Sequence, residues 1–330
     1  MFTRCAGPCP IIMSKLAAIT GATGFLGRYI VRAVAARGWR VRVLARQPID
    51  HPQFAGLQLD AVPGDLSNHE ALRALVDGAD VIIHAAGLIK ARSSAAFEAV
   101  NVVGTANLAQ AIEKSGTSPR VLLVSSMAAR EPTLSSYART KRAAEQLLTT
   151  KLNRRAKLII VRPSAIYGPW DRATLSIFRA IACRIFLRPR SAHGRVAVIH
   201  AADAAAAIAV LCEQGSHEAL FELTDERIEG YSWDEIVRAA ETAMEMRALV
   251  IPLPGPAVKA AAAVSLLVGK LRRQTPIFTP EKAREFLHAD WGSKPESQPP
   301  RSLWRPQIGL AQGFRDTVNW YRDRHWLTAR

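Results

Sequence analysis

The chain has 330 residues, 49% hydrophobic and 22% charged, the balance of an ordinary globular protein with room for one large domain or two. Lys+Arg 44 against Asp+Glu 28 gives a net charge of +16, a field suited to phosphorylated cofactors, acidic substrates or an anionic surface. The arginines are dispersed and no zinc-finger or aromatic RNA-platform motif is present, so nucleic acid is not an expected partner. Cysteines at 5, 9, 183 and 212 have no companions at metal-ligand spacing. That sets aside metal sites and disulfide frameworks and suits a reduced, cytoplasmic protein.

Residues 1–13 form a leader broken by proline, too short for a secretory signal and expected to be disordered, with Met13 an alternative start. After it, short β-type runs alternate with helical runs. LAAIT (16–20) reads as a strand, followed by a helix over 25–37 and a strand RVRVLA (40–45). A strand near 57–62 leads to Gly64-Asp65-Leu66, and Asn68 is placed to cap the helix HEALRALVDGA. DVIIHAAG (80–87) is a strand running into a loop, followed by a helix over 97–114 and the strand RVLLVSS (120–126). A helix over 135–152 leads to KLIIVRP (157–163). Further on, a helix is expected over 173–187, a strand over 195–200 and a helix over 203–213, then small pieces and a helical tail over 310–326. The pattern predicts an α/β fold: a doubly wound parallel (Rossmann) sheet with a smaller, interleaved C-terminal lobe. Its expected divisions are a dinucleotide-binding core over 14–168 and a substrate lobe over 169–330, with 195–215 returning to the core sheet.

Gly21, Gly24 and Gly27 follow the first strand and open the first helix. A tight turn, close backbone approach to a pyrophosphate and close helix–sheet packing all require glycine there, and the helix N-terminus attracts the anion. At the end of the second strand, where a carboxylate would favour NAD, stand Ala45 and Arg46, with Arg42 and Arg28 nearby. Guanidinium groups suit a 2′-phosphate, so NADP is the preferred cofactor, with NAD the alternative.

Tyr137 and Lys141 lie one helical turn apart, and Ser125 and Ser126 end the preceding strand. A nearby ammonium would lower the phenol pKa, and a serine hydroxyl could hold a substrate oxygen. His84 reads as a packed histidine. Asp203 reads as a helix cap. Trp170 and Asp171 read equally as pocket or anchor, and the tail aromatics Phe314, Trp320, Tyr321 and Trp326 as docking groups. The apolar 256–273 segment reads as core or lid, or as a helix lying on a membrane.

With TGATGFLG, GDL (64–66), HAAG (84–87), NVVGT, VSS, YARTK and RPSAIYGP in view, the chain resembles the extended short-chain dehydrogenase/reductase, or NAD-dependent epimerase/dehydratase, family. The resemblance implies Tyr137 as acid/base, Lys141 as the residue binding the nicotinamide ribose and lowering the Tyr pKa, and Ser126 as the polarising hydroxyl, with Ser125 the alternative one register away. It implies a cofactor site of Gly21, Thr23, Gly24, Phe25, Leu26, Gly27, Arg46, Asp65, Leu66, Ala85, Ala86, Gly87, Ser125, Tyr137, Lys141, Arg162, Pro163 and Ser164, and no metal. Asn101 is read as a brace for the site or as a helix-start cap. MAAREP (127–132) replaces the Val-Tyr-Gly of nucleotide-sugar enzymes, which resembles the reductase branches acting on apolar ketones or alcohols. The expected activity is hydride transfer between NAD(P) and a small, apolar carbonyl or alcohol. The alternatives are a nucleotide-sugar epimerase/dehydratase and a non-catalytic NADPH-binding accessory protein of a membrane assembly. Peripheral membrane contact and a homodimer are compatible with the resemblance.

Overall fold

The computed structural model describes residues 15–91, 93–152, 156–190, 194–214, 218–271 and 278–327. The expected leader and Cys5 and Cys9 lie outside them. The elements in chain order are β1 (Leu16–Thr20), α1 (Phe25–Ala35), β2 (Arg40–Ala45), β3 (Leu59–Pro63), α2 (His69–Val76), β4 (Val81–His84) and α3 (Ser94–Glu98). A π-helical turn over Ala99–Val103 joins α3 to α4 (Gly104–Ser115), and β5 (Arg120–Val124), α5 (Ser136–Lys151), β6 (Lys157–Pro163) and β7 (Ala165–Tyr167) follow. The C-terminal half holds α6 (Leu175–Ala182), β8 (Ile185–Pro189), β9 (Arg195–Val196), β10 (Val198–His200), α7 (Ala201–Gln214), β11 (Ala219–Leu223) and α8 (Trp233–Met244). It ends with β12 (Leu249–Leu253), α9 (Gly255–Leu271), α10 (Pro280–Leu287), β13 (Asp290–Trp291) and α11 (Leu310–Asp323).

Seven strands form one sheet in the order β11-β6-β5-β4-β1-β2-β3, every neighbouring pair parallel. Parallel strands need covering on both faces, and period-two alternation divides their side chains accordingly. Ala17, Ile19, Val43 and Ile83 pack with Ile30 and Val34 of α1 and with Ala204 and Ile208 of α7. Leu16, Ala18, Ile82 and Val121 face Leu72, Leu108, Ile112 and Leu148 of α2, α4 and α5. The strand order reverses between β1 and β4, so a crevice opens at their carboxyl ends, where doubly wound folds bind ligands.

Two expectations fail in the C-terminal half. The helix expected over 173–187 stops at Ala182, because Arg184 takes a left-handed conformation (φ 62°) and Ile185–Pro189 pairs with Leu249–Leu253 as a parallel ribbon. The strand expected over 195–200 does not join the main sheet. It divides into β9, paired with β13, and β10, paired with β7. Helix α7 does return to the core, but the seventh strand is β11, just beyond the expected segment. The lobe has its own core of Tyr167, Phe178, Ile236, Phe314 and Tyr321. Trp170, at φ 73°, is clamped between His51 (ring centroids 4.5 Å apart) and Trp320 (4.6 Å), and Asp171 bonds the backbone of Ala173 and Thr174, so both act as anchors.

Candidate active site

The glycine turn is dictated by sterics. A Cβ on Gly21 would lie 2.5 Å from the Ala86 nitrogen, and one on Gly27 would lie 2.0 Å from the Gly21 carbonyl oxygen. Gly21 also sits at φ 73°. Gly24 caps α1 without a side-chain hydrogen bond, and the first turn carries no acidic residue. A backbone cradle that a single methyl would fill, at a helix N-terminus open to an anion, fits a dinucleotide pyrophosphate. Thr23 is exposed in this turn, while Phe25 and Leu26 begin α1.

The other expected cofactor residues gather on the same carboxyl edge. Arg46 follows β2 and stands near Asp65, which follows β3. Hydrogen bonds from Ser67, with a smaller contribution from Arg46, hold the Asp65 carboxyl below the usual carboxylate range. Leu66 is buried against Gly104, where a Cβ would come within 2.7 Å of Leu66 Cδ1. Arg42 behaves otherwise than expected. It pairs with Asp60 at 2.6 Å and donates to the Ala74 and Asp77 carbonyls, stitching β2 to β3 and α2. Arg28 donates to the Thr23 carbonyl at 2.7 Å and to Gln53 at 2.9 Å, bracing the turn from outside.

Ala85, Ala86 and Gly87 follow β4, and the Ala86 amide donates to Thr20 Oγ1 at 3.3 Å. His84 is fully enclosed between Thr20 (2.7 Å) and Thr105 (2.8 Å), and burial pushes its pKa down to about 3. It is a neutral packing group. Asn101 lies inside the π-helical turn rather than at a helix start. Its Oδ1 accepts from the Leu88 amide (2.7 Å), and its Nδ2 donates to the Leu88 carbonyl (3.2 Å) and to Thr140 Oγ1 (3.1 Å). The π-turn therefore aims one amide at both the loop after β4 and helix α5, which is a brace and not a cap.

Ser125 and Ser126 follow β5 and separate in role. Ser125 donates to Glu145, whose carboxylate also takes a two-point contact from Arg162 at 2.8 and 2.6 Å. Arg162 and Glu145 are 8% and 4% exposed, so this is a buried ion pair under the site. The Arg162 guanidinium, expected beside the nicotinamide, is thereby committed to α5. Pro163 ends β6 at the carboxyl edge, Ser164 follows it, and the Ser164 hydroxyl is buried with no protein partner among the described residues. Ser126 is left as the hydroxyl beside Tyr137.

Burial pushes the Tyr137 phenol up to about 12, opposed by the Ser126 hydrogen bond and reinforced by the charge of Glu285. The Lys141 ammonium donates to the Val124 carbonyl at 2.7 Å, and burial lowers its pKa to about 8, opposed by Glu145. The expectation that Lys141 depresses the Tyr137 pKa is thus not met, since burial governs both groups and the ammonium is directed at a backbone carbonyl. A Cβ on Gly87 would lie 3.3 Å from Asn101 Oδ1 and, in ordinary contact, 3.7 Å from Lys141 Nζ, so the loop after β4 runs directly against both side chains.

Two carboxylates from the far end of the chain complete the site's surroundings. Ser135, the N-cap of α5, donates to Glu285, and Ser136 donates to Glu281 at 2.9 Å. Arg284 donates to the Leu134 carbonyl at 2.8 Å. Helix α10 therefore grips the first turn of the helix that carries Tyr137. Nothing in the local sequence signals this contact between segments some 145 residues apart. Glu145 was readable, because it stands one turn beyond Lys141 on the same face. Asp203, expected to cap its helix, instead accepts from the Gln307 and Ile308 amides at 3.0 and 2.8 Å and ties down the entry to α11.

Among the described residues no cluster of His, Cys, Asp or Glu could hold a metal ion. A glycine cradle, a buried ammonium and a Ser–Tyr pair on one crevice are the parts of a nicotinamide-dependent redox site. Comparison with known proteins decides the family: the NAD dependent epimerase/dehydratase family matches residues 17–223. The chain belongs to this family. It is 44% identical over 310 residues, 94% of this chain and 95% of the relative, to the Ceramide reductase of Caulobacter vibrioides. It is 24% identical over 278 residues, 77% of this chain and 84% of the relative, to the decarboxylating Sterol-4-alpha-carboxylate 3-dehydrogenase of Dictyostelium discoideum. The crystal structure of gox2253 superposes with a TM-score of 0.76 at 21% identity, over 96% of this chain and all of that one, which shows the shared fold. This extended short-chain dehydrogenase/reductase is an NAD(P)-dependent oxidoreductase acting on a small molecule.

Proposed function

We propose that this enzyme reduces the ketone of an apolar, ceramide-like lipid with NADPH, or runs the reverse oxidation. The observation that carries the reading is the Tyr137 phenol beside the Ser126 hydroxyl on the carboxyl edge, with Lys141 behind it. The extensive identity with the Ceramide reductase supports the substrate class.

A nicotinamide cofactor, when bound, would supply the hydride that reaches the carbonyl carbon. Ser126 donates a hydrogen bond to the carbonyl oxygen, and Tyr137, held protonated by its raised pKa, delivers the proton that oxygen needs as it becomes an alkoxide. Lys141 holds the ribose end of the cofactor while Asn101 keeps the loop after β4 and helix α5 in register. Gly21, Gly24 and Gly27 seat the pyrophosphate. Arg46, on the rim beside Asp65, meets a 2′-phosphate, the basis for preferring NADPH to NADH.

The test is nicotinamide absorbance on purified protein, with long-chain keto-lipids, simple ketones and nucleotide sugars, using each cofactor. Consumption of NADPH with keto-lipid is expected, and its KM should be about tenfold below that of NADH, the scale of one charge-assisted hydrogen bond. Tyr137→Phe should abolish turnover and leave NADPH binding intact. A fully active Tyr137→Phe, or conversion of a nucleotide sugar without net absorbance change, would defeat the reading.

No helix of the described residues is long and apolar enough to cross a membrane. Our reading is a cytoplasmic enzyme that meets the membrane peripherally, since its substrate resides there. A homodimer through α4 and α5 is also consistent with the exposed Val103 at the start of α4; sedimentation velocity measures it.

A further inference from the structure

Helix α9 has apolar residues on every side. Its inner face buries Val258 (2% exposed) and Ala262 (0%) against Ala283 of α10, with Phe278, Phe286 and Leu287 around them. Its outer face shows Ala260, Ala263, Val264, Leu267 and Val268, with Val264 at 61%, Leu267 at 58% and Val268 at 40% exposure. A helix apolar all round is ordinarily buried on all sides. With 17 residues α9 is about 26 Å long, short of a bilayer's hydrocarbon core, so it cannot satisfy that face by spanning.

The ribbon that feeds α9 has the same character. Ile185 (49%) and Leu187 (52%) lie on the outer face of β8, and Leu249 (65%) pairs with Ile185 from β12. Phe186, on the opposite face, is 5% exposed and packs in the lobe core. One side of the ribbon is therefore seated on the protein and the other presents aliphatic side chains outward. Exposed Arg184, Arg190, Arg247 and Lys259 border these two surfaces. Arg247 pairs with Glu241 while remaining 86% exposed.

We propose that the outer faces of α9 and the β8–β12 ribbon form one docking surface for an anionic lipid bilayer. Aliphatic side chains enter the headgroup boundary while the basic border meets anionic headgroups. A second copy of the chain is the poorer occupant, because this surface would set its own basic border of Arg184, Arg190, Arg247 and Lys259 against an identical one. The placement also gives the surface a purpose, and here it rests on the lipid-reductase reading. Helix α10 packs on α9 and grips the first turn of α5 through Glu281 and Glu285, so the membrane-facing helix stands one layer from Tyr137.

The test is flotation of the full chain with vesicles of phosphatidylcholine alone and with phosphatidylglycerol added. Strong binding to the anionic vesicles, weakened but not abolished by salt, is expected. The variant Val264→Asn/Leu267→Gln/Val268→Asn should lose about tenfold in vesicle affinity, the scale of a few withdrawn aliphatic contacts. Its turnover of a water-soluble ketone should be unchanged, which also shows it folded. Ile185→Ser/Leu187→Asn should lose affinity in the same way. Wild-type protein that ignores both vesicles, variants that bind as well as wild type, or a dimer in solution that these substitutions dissociate would each overturn the proposal. Flotation is repeated with Tyr137→Phe, so the surface is scored independently of turnover. Vesicle binding without activity on any ketone would refute the reductase reading and leave the surface standing.

Discussion

The crevice wall built by the β1–α1 turn and the wall built by α9 and α10 are made by different physics. In the first, backbone meets backbone. Gly21 and Gly27 pack against the carbonyls of Ala85 and Gly21 so tightly that a methyl group has no room, and the geometry follows from local residues alone. In the second, side chains from distant segments meet. Glu281 and Glu285 reach Ser136 and Ser135, and the outer aliphatics Val264, Leu267 and Val268 of α9 stay 40–61% exposed. The first wall should be brittle to the smallest substitution. The second should tolerate change in shape and respond through charge and surface.

The largest expected effect belongs to the rigid wall. Gly27→Ala places a Cβ 2.0 Å from a backbone oxygen, so the turn must open. NADPH binding, followed by quenching of protein fluorescence, should be lost; wild-type affinity would show that the turn yields easily and break the comparison. Next comes the pair beneath both walls. Glu145→Gln leaves Arg162 charged and buried at 8% exposure, which should cost about 3–5 kcal/mol in urea unfolding. A loss under about 1 kcal/mol would mean that water reaches the pair.

A smaller, graded effect is expected from pH. Burial lowers the Lys141 pKa from 10.5 to about 8, so the ammonium is complete only well below pH 8, half lost near it and gone well above it. Tyr137, raised to about 12, stays protonated throughout this range. Ketone reduction should therefore be level well below pH 8 and fall with a midpoint near it. A profile rising to pH 10 would exclude the ammonium from the reaction. The smallest effect tests the far wall. Removing the Glu285 charge lowers the Tyr137 pKa, so Glu285→Gln should speed alcohol oxidation at high pH. Ser135→Ala breaks the same hydrogen bond without changing charge and should leave the profile in place. Matching profiles for the two variants would make Glu285 a purely structural clamp.

The central strands were readable almost to the residue: 16–20, 40–45 and 157–163 are found as read, because buried parallel strands are short runs of β-branched and aliphatic residues between turn signals. The glycine turn was readable for the same local reason. The Arg184 reversal was not, since a left-handed arginine carries no sequence mark and only the pairing of β8 with β12 justifies it. Arg42 and Arg162 looked like cofactor ligands in one dimension. Their carboxylate partners, Asp60 and Glu145, lie 18 and 17 residues away and meet them only across the fold.

By itself the sequence determined the strands of the sheet and the glycine turn, and it put Ser126, Tyr137 and Lys141 on one strand–turn–helix unit, because each depends on local spacings. Only the tertiary structure decided which serine faces the phenol, that burial rather than Lys141 governs the Tyr137 pKa, and that α10 holds the first turn of α5. Burial and charge–charge contact are properties of what surrounds a residue on every side, and neighbours along the chain supply only part of that surrounding.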